Sequence, residues 1–238
     1  MRQRATPPGP GSGNRLLTAL PARERERLKR HLELRELAAR QTLLIPGKRI
    51  DHVYFPEDCA VSLVHPLQDG TAAEIALVGC EGLVGVPAIL GAGAGPAEAV
   101  VQIPGRSWRV RAAPLREEMR NSPTLLELLL RYVLALHIQV SQAVACNSHH
   151  ALVKRIARWL LAARDRIGGA ELALSHEAIA EMLGMRRASV TVALGALRTA
   201  GLIDNRPGRI AILDAKRLEN AACECYRTVK EEYARLLP

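Results

Sequence analysis

Apolar residues recur at helical spacing at both ends of this chain and in short runs between them. Within residues 14–40, Leu16, Leu17 and Leu20 precede Pro21, which opens a charged amphipathic helix through Leu28 and Leu32. From Gln41 the period shortens. Residues 42–45, 53–55, 60–64, 73–78, 100–103 and 108–111 read as strands. Turn signals separate them at Pro46-Gly47, Pro56-Glu57, Asp69-Gly70, Gly79 and Pro104-Gly105. Many short strands at regular spacing predict a compact β-barrel or sandwich, with the glycine-rich residues 91–95 as a loop inside it. Residues 125–146 read as one long helix bearing Leu126, Leu129, Leu130, Val133, Leu136, Val140 and Val144. That is more apolar surface than one face buries against a small barrel. The steps of three and four approximate a heptad, so the spacing predicts a dimer seam through Leu126, Leu129, Val133, Leu136 and Val140. Residues 147–150 break the pattern as a hinge. Residues 151–167 form a helix with Val153, Ile156, Trp159 and Leu160 inward, ended by Gly168-Gly169, and residues 217–237 a terminal helix.

Residues 174–203 carry the most specific pattern. They read as two short helices broken by Gly184, with Ser175 placed to cap the first. Ile179, Leu183, Val190, Leu194 and Leu197 form one buried seam, and Gly184 supplies the positive φ that a helix-turn-helix needs. Arg186 and Arg187 open the second helix, where cations oppose the helix dipole. The placement makes sense if that helix end meets an anion, as the start of a recognition helix does. Next comes a hairpin turning at Pro207-Gly208, flanked by Arg206 and Arg209. A hairpin after a recognition helix is a wing, and arginines at its tip suit phosphates.

Charge agrees with that division. The 238 residues carry a formal net charge of +9. Residues 1–40 hold ten Lys/Arg against four Asp/Glu, residues 41–146 eight against ten, and residues 147–238 fifteen against ten. The basic C-terminal part fits a polyanion, and the middle does not. Aromatic residues at 3% argue against a single-strand binder built on stacking. Five cysteines without a signal peptide point to a reducing cytoplasm, and no apolar run is read as long enough for a membrane.

The order barrel, long apolar helix, hinge and winged helix-turn-helix resembles the Crp/Fnr family of bacterial transcription regulators. Residues 156–160, 179–184 and 208–214 carry the resemblance most strongly, with His52-Val-Tyr-Phe-Pro56 and Leu77-Val-Gly-Cys-Glu-Gly82 similar to its sensory barrel. The resemblance implies an α+β chain: an N-terminal cyclic-nucleotide-binding-like β-roll (jelly roll), a long dimerisation helix and a C-terminal winged helix-turn-helix. The expected divisions are a disordered tail over 1–13, the sensory β-roll over 14–122, the dimerisation helix and hinge over 123–147, and the DNA-binding domain over 148–238. It also implies a cytoplasmic homodimer on a pseudo-palindromic operator of double-stranded DNA, with RNA polymerase as a further partner and no membrane. The expected DNA contacts are Ser175, Arg186, Arg187, Ser189, Thr191, Val192, Arg198, Arg206 and Arg209.

The chain departs from the family in two places. The family's cyclic-nucleotide turn is Gly-Glu-Leu followed by an Arg-Ser/Thr pair on the phosphate. Here the turn is Gly85-Val86-Pro87, and residues 91–97 hold no cation. Arg106-Ser107 falls on the following strand and reads as structural. A buried phosphate without a counter-charge is costly, so a pocket at Val84, Gly85, Val86, Gly95 and Ala97 is not expected to take cyclic AMP. In the recognition helix many members carry Arg-Glu-x-x-x-Arg. Arg187 matches the first position, while Ala188 and Val192 replace the other two.

No cysteine precedes Cys59, which argues against an N-terminal iron–sulfur cluster. Cys146, Cys223 and Cys225, with His149 and His150, offer an alternative redox or metal sensor. Against it, a Cys-x-Cys pair on a helix points its thiols about 200° apart, so packing is the expected role and neither metal nor cofactor is assigned. A second alternative is a cyclic-nucleotide-responsive receptor. A third is an interaction module with no DNA function. No nucleotide-binding glycine loop or nucleophile elbow appears, so an enzyme is not expected.

Overall fold

The computed structural model describes residues 13–68 and 72–237. The tail read over residues 1–13 lies outside them except for Gly13, as does the turn at Asp69-Gly70.

Asn14 fixes the first turn. Its side-chain oxygen accepts from the Leu16 and Leu17 N–H groups and caps α1 (Arg15–Ala19), while its amide donates to Pro56 O and Gly82 O at 2.9 and 2.7 Å. Then come α2 (Ala22–Lys29), β1 (Glu33–Leu37), β2 (Thr42–Leu44), β3 (His52–Pro56), β4 (Ala60–Pro66) and β5 (Ala72–Val78). The short α3 (Val86–Ile89) separates these from β6 (Glu98–Ile103) and β7 (Gly105–Arg111). The strands make two antiparallel sheets, β1-β7-β3 and β2-β6-β4-β5. Val53, Phe55 and Val110 from one sheet share a core with Val61, Val78 and Val101 from the other, as the two-residue period of a strand requires. The expected β-roll is present.

β1 was not foreseen in the sequence. Glu33-Leu-Arg-Glu-Leu37 is charged and exposed except at Leu37, and it pairs along β7 as an edge strand. A cross-strand ion pair supports its register, with Glu33 accepting from Arg109 at 2.8 Å. Also unforeseen is α4 (Ala112–Asn121), which buries Ala112, Leu115 and Met119.

Ser122 caps α5 (Pro123–His149), which runs unbroken for 27 residues. By length and composition alone this helix could cross a membrane, which corrects the reading that no apolar run is long enough. Its inner face explains the composition. Leu125, Leu128, Leu129, Tyr132, Ala135 and Leu136 are buried in the barrel core. The break after α5 is narrower than the expected hinge and falls at His150 and Ala151, neither of them helical.

Beyond it lie α6 (Leu152–Ile167), β8 (Glu171–Leu172), α7 (His176–Leu183), α8 (Arg187–Thr199), β9 (Ile203–Arg206), β10 (Arg209–Ile212), α9 (Ala215–Ala221) and α10 (Cys225–Leu236). Their core takes in Ile156, Trp159, Leu160, Ile179, Val190, Leu194, Leu197, Ile203 and Ile210, together with Ala60, Leu77 and Ile103 of the barrel. The single terminal helix expected over 217–237 is two helices, interrupted at 222–224.

One buried cation joins the two halves. Arg166 of α6 pairs with Glu81 at 2.9 Å, donates to Leu77 O at 2.9 Å and reaches Gln139 Oε1 of α5 at 2.8 Å. Tyr233 of α10 donates to the same Gln139 oxygen at 2.9 Å. The Leu77–Gly82 motif thereby acquires its physical meaning. A Cβ on Gly79 would come within 2.3 Å of Arg166 Cβ, and one on Gly82 within 2.4 Å of the Tyr132 ring.

Candidate nucleic-acid interface

The interface is built on α7, α8 and the β9–β10 hairpin. Ser175 Oγ accepts from Ala178 N at 3.1 Å and caps α7, so its side chain is committed to the helix start. Gly184 ends α7 at φ 61°, a conformation that a β-carbon strains. Arg186 is the N-cap residue of α8, and Arg187 its first helical residue. Val190, Ala193, Leu194 and Leu197 face inward. The opposite face leaves Arg187, Ala188, Thr191, Val192 and Arg198 exposed and Ser189 half-buried, with Val192 75% exposed. Arg187 holds Glu177 of α7 at 3.5 Å, an exposed pair that yields readily to a phosphate.

In the wing, Arg206 pairs with Asp204 at 2.8 Å and Arg209 with Glu171 of β8. Arg186, Arg187, Arg198, Arg206 and Arg209 all stay exposed, and three of them, Arg187, Arg206 and Arg209, are lightly neutralised at the surface. The sequence reading missed His176. Its Nδ1 meets Thr191 Oγ1 of α8 at 2.9 Å, and its Nε2 meets the Asn205 amide nitrogen of β9 at 2.9 Å. This ring locks the first helix, the second helix and the wing into one unit. A histidine at the first position of a capped helix was the only available signal.

The barrel also touches this unit. Met182 of α7 packs over Ser62, Arg40 pairs with Glu181 at 3.3 Å, and Trp159 Nε1 donates to Glu74 Oε1 at 2.8 Å. Ser62 Oγ donates to the other Glu74 oxygen. Burial pushes the Glu74 carboxyl up to about 7, against the pull of those two donors and of Arg158 and Arg166.

The effector residues lie around α3. Val84 is buried and bridges to Tyr54, Gly85 has φ 116°, and Gly95 approaches Pro87 too closely for a side chain. Val86 and Ala97 are half-buried beside them. Arg116 of α4 reaches α3 but donates to Ala88 O at 3.4 Å. The larger of the described cavities, about 520 Å³, lies elsewhere. It opens between β5, α6, α7 and α10, beside Glu74, Arg158, Trp159 and Asp165.

The seam residues divide between two faces. Leu126, Leu130 and Leu134 are exposed and Val144 is 65% exposed, while Val133 and Val140 are half-buried. Leu129 and Leu136, expected in the seam, point instead into this chain's own barrel core. The expectation about the cysteines also needs correction. Cys223 lies in the break before α10, with Cys225 its first residue, so the two thiols converge instead of opposing across a helix. A hydrogen bond from Cys223 holds Cys146 down at about 5, while Cys223 itself is pushed up.

The chain matches the family model described as a cyclic nucleotide-binding domain over residues 34–122, and the Crp-like helix-turn-helix domain over residues 154–221. It is 26% identical over 210 residues to the global nitrogen regulator of Synechococcus elongatus, covering 84% of this chain and 94% of that protein. A second global nitrogen regulator, from a Nostoc species, is 26% identical over 181 residues, 72% of this chain and 81% of that protein. Among solved structures, FixK2 from Bradyrhizobium japonicum superposes with a TM-score of 0.69 at 18% identity, covering 81% of this chain and 98% of that one. The c-di-GMP-responsive global regulator CLP of Xanthomonas campestris gives 0.65 at 16%, over 82% and 100%. The structural likenesses carry the fold, and the curated relatives are regulators rather than enzymes. With its β-roll, long helix and winged helix-turn-helix, the chain belongs to the Crp/Fnr family of DNA-binding transcription regulators.

Proposed function

We propose that the chain acts in the cytoplasm as a homodimeric, sequence-specific regulator that reads a pseudo-palindromic operator without cyclic AMP. The recognition helix is α8, with Arg186, Arg187, Ser189, Thr191, Val192 and Arg198 turned to the major groove. Arg206 and Arg209 of the wing meet phosphates, and RNA polymerase is the further partner. Ser175 contributes by holding the start of α7. The observation that carries this reading is the open outer face of α8, set rigidly beside the wing arginines by His176. The pairing of two chains runs along the outer face of α5, through Leu126, Leu130, Val133, Val140 and Val144, a strict alternation of three- and four-residue steps if His137 completes it.

The absence of a phosphate-binding arginine from residues 91–97, and the engagement of Arg116 with Ala88 O, support a barrel that holds no cyclic phosphate. Selection of bound sequences from a randomised duplex library tests the whole reading, using the purified chain with and without cyclic AMP or cyclic GMP. The expected result is an inverted repeat with half-sites about one helical turn apart, equally enriched in every arm. Enrichment only with a cyclic nucleotide overturns the effector reading. No enrichment in any arm overturns the recognition surface.

A further inference from the structure

Four metal-type donors meet where α5 ends and α10 begins. Cys146 Sγ, His150 Nδ1 or Nε2, Cys223 Sγ and Cys225 Sγ all lie within 4.8 Å of one another. Cys146 lies in the last turn of α5, and His150 is the C-cap residue that follows it, its N–H donating to Cys146 O at 3.0 Å. Cys146 Sγ is 3.5 Å from Cys223 Sγ, and Cys225 Sγ is 3.4 Å from His150 Nδ1. Around one tetrahedral zinc ion, with Zn–S near 2.3 Å and Zn–N near 2.0 Å, such separations come to about 3.8 and 3.6 Å. The three sulfurs are buried and His150 is partly so.

The surroundings also suit an ion. His150 Nδ1 faces the thiols while Nε2 stands 3.2 Å from Glu224 Oε1, the carboxylate–histidine arrangement that orients a metal ligand. Gln142 Nε2 donates to Cys225 Sγ at 3.1 Å, supporting a thiolate. Arg155 and Arg158 lie near enough to act on the Cys146 charge, so they offset the net −1 of three thiolates and one neutral imidazole on a dication.

We infer that Cys146, His150, Cys223 and Cys225 form a closed structural site for one zinc ion, which clamps the end of the dimer helix to the α9–α10 break. Binding replaces three S–H protons by Zn–S bonds, releases those protons to solvent and changes no oxidation state. The span of the donors suits one shared ion, whereas a cluster's ligands sit on separate irons and stand farther apart. Three thiolates favour a zinc-type ion over magnesium or calcium.

The test is elemental analysis of the full chain purified under reducing conditions without chelator, followed by zinc release with a mercurial reagent. About one zinc per chain is expected, retained on gel filtration and released as the thiols are capped. Cobalt loaded in its place should show the sulfur-to-metal charge-transfer and intense visible bands of tetrahedral thiolate coordination. Strong chelation should lower the melting temperature by about 5 °C or more. Cys223→Ser and His150→Ala should lose the ion, while Cys59→Ser, a barrel thiol outside the cluster, should keep it. Less than about a tenth of an ion per chain after zinc supplementation, with all five thiols of the unmodified chain titrating freely, overturns the site. A mass short by two hydrogens would overturn it in favour of a disulfide. The readout is independent of DNA, so failure here leaves the recognition surface standing, and the reverse.

Discussion

At the scale of the residue, position within the interface separates two kinds of arginine. Arg187 starts α8, where a guanidinium could meet a guanine edge in bidentate fashion, while Arg206 sits at the tip of the wing, where the proposed complex would bring phosphates. Arg187→Ala should therefore cost about 1–3 kcal/mol and relax preference at one base pair per half-site. Arg206→Ala should weaken all sequences alike and reduce the salt slope by about one. Comparing both variants on the selected operator and a scrambled duplex, over a salt series, checks this. Identical profiles for the two would remove the distinction. His176 has a different role, since it touches α8 and the wing but faces inward between them.

At the scale of the element, α5 has two apolar faces with different owners. Leu129 and Leu136 belong to the barrel core, whereas Leu130 is half exposed at 50% and lies on the opposite side. Leu130→Glu should place like charges across a two-fold seam and yield monomers that keep the fold. Light scattering together with circular dichroism reads both properties, and a dimer that survives the substitution moves the interface off this face. The sequence revealed the helix and its excess of apolar surface, but one-dimensional spacing could not say which leucines the barrel claims. The β-roll strands were legible from their runs and turns, and the helix-turn-helix from Gly184 and its flanking seam. β1 was not, because a charged edge strand has no buried face to alternate. The break at 222–224 was not legible either, since no Gly or Pro punctuates it, and that omission hid the meeting of the cysteines.

At the scale of the whole molecule, the barrel and the reading domain are joined through polar contacts inside an apolar boundary. Glu74 is the titrating member. Its folded value near 7 lies above the ordinary 4.5, so the chain favours its neutral form. The corresponding stability is complete below about pH 4.5 and is lost as pH rises through about 7. Ionised Glu74 should weaken the boundary by placing a charge where burial disfavours it, against the pull of the Trp159 and Ser62 donors, and Glu74→Gln should remove the effect. The melting temperature of the unmodified chain, relative to that of the variant, is expected to fall between about pH 5 and 8. Parallel profiles would assign Glu74 no part in the coupling. The narrow break between α5 and α6 has a separate consequence. About 40 Å of rigid helix lies before it, and only His150 and Ala151 depart from helical torsions. In the proposed dimer, the distance between two reading heads on a duplex would then be set by a handful of backbone angles. A substitution at Ala151 would change which half-site spacing fits before it changed how tightly any half-site is held, so binding-site architecture could drift in evolution through a joint that never touches a base.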